Sequence, residues 1–135
     1  MNYLDVLAEV LKRLKPLVKE TTKNRSDFEN IWTTVTTDFA EWLQSPSGMV
    51  SLLDGKIILI RRLVNAFNND SIRTNKAIID VVVSGTQMGG EDFKVTKSTG
   101  IVSYPIIDRY ITKRGGIMLT LKDEKGKPFK WEYFD

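Results

Sequence analysis

Ile117-Met118-Leu119-Thr120-Leu121-Lys122, the polar run Asp123-Glu124-Lys125-Gly126-Lys127, and Pro128-Phe129-Lys130-Trp131-Glu132-Tyr133 close the chain. Ile117, Leu119 and Leu121, then Phe129, Trp131 and Tyr133, recur every second residue, the period that sends alternate side chains to opposite faces of a strand. The polar run between them turns the chain. This predicts a terminal antiparallel hairpin, and a hairpin alone is too small to be stable, so it must belong to a larger sheet with a covering layer.

Working back from the hairpin, Pro105 and Gly115 bracket Ile106, Ile107, Tyr110 and Ile111, with Lys113 and Arg114 near the end. Proline at the first helical position, basic residues in the last turn and glycine just past it predict a short helix. Before it the period is two again. Ile79, Val81 and Val83 alternate with Asp80, Val82 and Ser84, Phe93 and Val95 with Lys94 and Thr96, and Ile101 to Tyr104 follow a Ser98-Thr99-Gly100 turn, predicting three more strands.

The first half has the helical period. Leu4, Leu7, Leu11, Leu14 and Val18 form a stripe that Pro16 should kink or break near Lys15. Ser26 and Glu29 match a capping box ahead of Phe28, Trp32, Val35, Phe39 and Trp42, predicting a second helix from about Ser26 to Gln44. Asp54-Gly55 reads as a two-residue hairpin turn, but Val50, Leu53, Ile57, Ile60, Val64 and Phe67 keep helical spacing throughout. The favoured reading is a helix from about Lys56 to Asn68 with Asp54 near its N-cap. The expectation is therefore one α+β domain over residues 1–135, two-layered, with N-terminal helices packed on a C-terminal, mostly antiparallel sheet of about five strands.

The 135 residues include no cysteine and no histidine, which removes disulfides, thiolate nucleophiles, the usual zinc sites and every Ser-His or Cys-His relay. No cofactor fingerprint is present: the glycine-rich Ser84–Gly90 stretch lacks both the dinucleotide-binding and the P-loop spacing. The start lacks the basic and apolar regions of a secretory signal and no stretch is apolar enough to span a membrane, so a cytoplasmic protein is expected. The net charge is +3, with an excess of three positive charges over residues 1–25, a deficit of two over 26–90 and an excess of two over 91–135. No dense basic run marks a dedicated nucleic-acid binder. Sparse alanine with plentiful Asn, Lys, Ile and Thr is the composition an AT-rich genome, such as a phage's or a mobile element's, would encode.

Candidate sites are few. Asp80 on a strand, followed by Asp92-Phe93-Lys94, has the order in which some magnesium-dependent nucleases bind the ion with two carboxylates and place a lysine beside the attacking water. A solvated aspartate on an outer strand face explains Asp80 as well, and the pattern arises easily by chance. Phe129, Trp131 and Tyr133 could stack bases, but a face carrying three aromatics is expected to lie under the helices as core. Arg61, Arg62, Asn65, Asn68, Asn69, Arg73 and Lys76 form a polar face that could contact phosphate or base edges, beside the plainer and favoured reading of a solvated surface. The aromatic stripes of the first two helices offer anchors for a homodimer if the sheet does not cover them. A non-enzymatic interaction protein without cofactor or metal, its partner another protein, is the leading expectation. A nucleic-acid-binding protein or magnesium-dependent nuclease is the alternative.

Overall fold

The computed structural model describes residues 3–134. Helices α1 (Tyr3–Thr21), α2 (Phe28–Leu43), α3 (Leu52–Phe67), α4 (Ser71–Thr74) and α5 (Lys76–Val83) precede strands β1 (Asp92–Lys97), β2 (Gly100–Ile111), β3 (Ile117–Lys122) and β4 (Pro128–Tyr133). The strands form an antiparallel meander in the order β1-β2-β3-β4, and the helices cover it as a second layer. The α+β two-layer architecture holds, with four strands instead of five. No helix among the described residues is long and apolar enough to cross a membrane.

The departures from expectation have local causes. The helix α1 runs through Pro16, because its buried stripe of Leu7, Val10, Leu14 and Val18 is continuous on both sides of the missing donor. The Ser26 capping box does not form. Asp27 is the N-cap of α2, without a side-chain cap bond, while Glu29 reaches back to Lys15 at 3.0 Å. The third helix starts four residues earlier than expected, capped by Ser51, whose hydroxyl accepts from the Asp54 amide at 3.1 Å. Gly55 inside it marks the close approach of Tyr3, whose hydroxyl occupies the place of a Cβ.

Residues 79–83 are helix, not strand. Asn75 caps α5 by accepting from the Ile78 amide at 3.1 Å, and Ile78, Ile79, Val81, Val82 and Val83 are all buried. Lys76, Ala77 and Asp80 are exposed along one side of α5 while its β-branched residues are buried on the others, and that packing overrides their β propensity. The predicted helix after Pro105 is instead the second half of β2. A bulge between Ile106 and Asp108 shifts the register, so Ile106, Ile107, Tyr110 and Ile111 lose strict alternation and imitate a helical spacing. Gly115 is a turn residue at φ +91, not a helix cap.

The bulge also lets β2 serve two partners. Its first half pairs with β1, setting Phe93 opposite Tyr104, and its second half pairs with β3, setting Ile111 opposite Ile117. Helices α4 and α5 pack against β2, and the far edge of the sheet closes on itself. Phe93 of β1 meets Trp131 and Tyr133 of β4, ring centroids 6.0 and 6.3 Å apart, and Tyr104 meets Phe129 at 5.2 Å. Phe129 and Tyr133 are therefore half-buried by other aromatics, while Trp131 is 42% exposed and is not the core residue expected.

Among the described residues one charged side chain is buried. Lys56 is 5% exposed, and its ammonium donates to the carbonyls of Val82 at 3.3 Å and Ser84 at 3.4 Å, capping the C-terminal end of α5. Burial, and after it the positive charge of Arg13, hold Lys56 below the ordinary lysine range. Between its folded and unfolded pKa values the unfolded chain binds more protons, so this residue's contribution to stability rises with pH there. Urea midpoints of the wild type and Lys56→Met should thus diverge in the wild type's favour as pH rises from neutrality into the alkaline range. Parallel pH profiles would mean that Lys56 is as well solvated folded as unfolded.

Candidate functional site

A cleft of about 430 Å³ opens where α3 ends, between α4 and the turn that joins β2 to β3. Its floor is set by how α3 stops. Asn68 takes the left-handed conformation, and the amides of Asn68 and Asn69 return to the carbonyls of Asn65 at 3.3 Å and Val64 at 3.1 Å. Those carbonyls are occupied, so a ligand meets side chains instead of the negative end of the helix. Asn69 is held at both ends: its side-chain amide donates to the Thr21 carbonyl at 3.1 Å and its side-chain oxygen accepts from the Ser71 amide at 3.0 Å.

Arg73 forms the rigid wall. Its Nε and Nη2 grip the Asp70 carboxylate at 3.0 and 2.6 Å, and its Nη1 donates to the Ile111 carbonyl at 2.7 Å, tying the helical layer to β2. Hydrogen bonding from Arg73, with the charges of Arg73 and Lys113 adding to it, pulls Asp70 below the ordinary aspartate range. The same carboxylate raises Arg73. Asp70, the one carboxylate among the described residues that line the cleft, is thereby committed.

Two cations stay available. Arg61, exposed on α3, lays one Nη2 against the Lys113 carbonyl at 3.2 Å, and Lys113 lines the opposite side. Gly115 makes room for this: a Cβ there would come within 3.1 Å of Arg61 Nη1. Neither Arg61 nor Lys113 forms an ion pair among the described residues. Asn65 and Asn68 add side-chain amides between them.

Of the residues singled out in the sequence, Arg61 and Arg73 come together here. Arg62 does not. It turns toward α2, its guanidinium 5.3 Å from the Trp42 ring, and Lys76 is exposed at the start of α5, outside the cleft. Trp131 belongs to the sheet layer. Asp80 stands on α5 and faces Arg109 at 3.6 Å, while Asp92 and Lys94 are exposed on β1 on either side of the buried Phe93. Among the described residues no three carboxylates gather as a metal site. Lys113 was missed because only the β2–β3 turn brings it to Arg61; the basic Lys113-Arg114-Gly115-Gly116 run was its one visible signal. Comparison with family models, with curated proteins and with solved structures finds no match.

Proposed function

We propose that this chain is a binding module that recognises an acidic segment of a protein partner through the cleft at the end of α3. The observation that carries the reading is the convergence of Arg61 and Lys113, both exposed and free of ion pairs among the described residues, beside a carboxylate already held by Arg73. An arginine fork and an ammonium on either side of a small cleft match one or two carboxylates.

The rest of the basic surface favours a protein over a nucleic acid. Lys15 is paired with Glu29, Arg25 with Asp27, Arg109 with Asp80 and Arg114 with Glu132, so part of the basic surface is already neutralised by the chain's own carboxylates and offers less to a phosphate backbone. No aromatic ring lines the cleft to stack a base.

Fluorescence anisotropy with a labelled oligoglutamate peptide, an oligolysine peptide and a single-stranded oligonucleotide tests this. The glutamate peptide should bind, weakening with salt, and the lysine peptide should not. The Arg61→Ala/Lys113→Ala double variant should lose about 10-fold or more in affinity, the equivalent of roughly 1.4 kcal/mol. Unchanged affinity in that variant sinks the reading, and an oligonucleotide that binds far more tightly than the peptide replaces it with the nucleic-acid one.

A further inference from the structure

The cleft is not isolated. Asn65 lines it and also lines a second depression with Arg62 and Val35, and Val35 and Ala66 continue into a third bounded by Ile31. On a helix with 100° between residues, Asn65 falls between Arg61 and Arg62 in angle, so it is the saddle between the two sides of α3. The three depressions form one path that starts among cations and ends on apolar side chains in the crevice between α2 and α3.

We infer that this path is the docking track for a partner segment of defined polarity, acidic at one end and aliphatic at the other, with a short neutral spacer between. The inference rests on the acidic-segment reading above and names the rest of the ligand. Charge fixes the direction. The cations at the first end call for carboxylates, whereas in the middle the charges of Arg62 and Asp38 offset each other and suit a neutral spacer. At the far end Ile31 is half-buried and Ala66 exposed, which leaves a shallow apolar seat suited to a leucine-sized side chain. Crossing one helix, about 10 Å wide, takes roughly three extended residues at about 3.3 Å each.

Three labelled peptides test it: a triglutamate, the same followed by Gly-Ser-Gly-Leu-Leu, and the same with Leu-Leu joined directly to the acids. The peptide with the spacer should bind about 10-fold more tightly than triglutamate alone, and the peptide without it should gain little. Ala66→Gln, a neutral helix-compatible substitution that fills the seat, should abolish the gain while leaving triglutamate binding unchanged, which also reports an intact fold. Triglutamate binding with no gain from the leucines, or a gain that survives Ala66→Gln, overturns the track and leaves the cleft standing. Failure of all three peptides to bind removes the cleft itself.

Discussion

Phe67→Ala should lower the stability of the chain by about 3–5 kcal/mol, the usual cost of emptying a buried aromatic site. Phe67 is 2% exposed at the last turn of α3. Its ring stacks on Phe28 at 5.3 Å, Phe28 stacks on Trp32 at 5.9 Å, and the Arg25 guanidinium lies 5.9 Å above it while donating to the Phe67 carbonyl at 2.8 Å. The substitution therefore opens a cavity where α2 and α3 meet the loop after α1, and the aromatic rings around it are too rigid to collapse into the space. Chemical denaturation of the purified variant measures the loss. Trp131→Ala is the informative partner. Trp131 is 42% exposed and its ring contact is with Phe93, so truncation should cost only roughly 1–2 kcal/mol. Equal losses at the two sites would contradict the placement of the core between the helices.

Arg73→Ala should cost about 2–3 kcal/mol, because it strips a charged donor from the half-buried carbonyl of Ile111. The loss of its Asp70 contact adds a pH signature. Asp70 is held below the ordinary aspartate range chiefly by its hydrogen bonds from Arg73. A carboxyl whose folded pKa is depressed contributes stability that is complete above its unfolded pKa and is lost as pH falls through the folded one. The wild type's lead over Arg73→Ala should therefore narrow on acidification to the share supplied by Ile111. Urea midpoints across the acidic range give the comparison, and a lead that stays constant until the fold collapses would show that Asp70 adds nothing.

Arg61 and Arg73 show how far the sequence reaches toward the site. Arg61 and Arg73 were legible as members of a polar face, since arginine and asparagine cluster along one short stretch of chain. That Arg73 reaches Ile111 while Arg61 rests on the Lys113 carbonyl, without an ion pair among the described residues, could not be read there, because those partners lie 38 and 52 residues away. Arg62, adjacent to Arg61, turns instead toward α2 and lies against the Trp42 ring. Adjacent residues on a helix point about 100° apart, so proximity in sequence separated two groups that the polar-face reading had joined.

By itself the sequence determined the class of fold: helices from 3.6-residue stripes in the first half, a sheet from two-residue alternation in the second, and the terminal hairpin nearly to the residue. Those are local properties, set by which side of each element meets a common core. Tertiary structure alone decided three things. Residues 79–83 became a helix because Ile79, Val81, Val82 and Val83 are all buried with only Asp80 facing out, which strand alternation would not allow. Residues 106–111 became strand because pairing with β3 across a bulge outweighs a helical spacing that the bulge itself produces. Trp131 became surface because the helices pack on β2 and leave the sheet's far edge to cover itself with its own aromatics. In each case the deciding interaction is with a segment distant in sequence, and the energy of burial there exceeds any local preference.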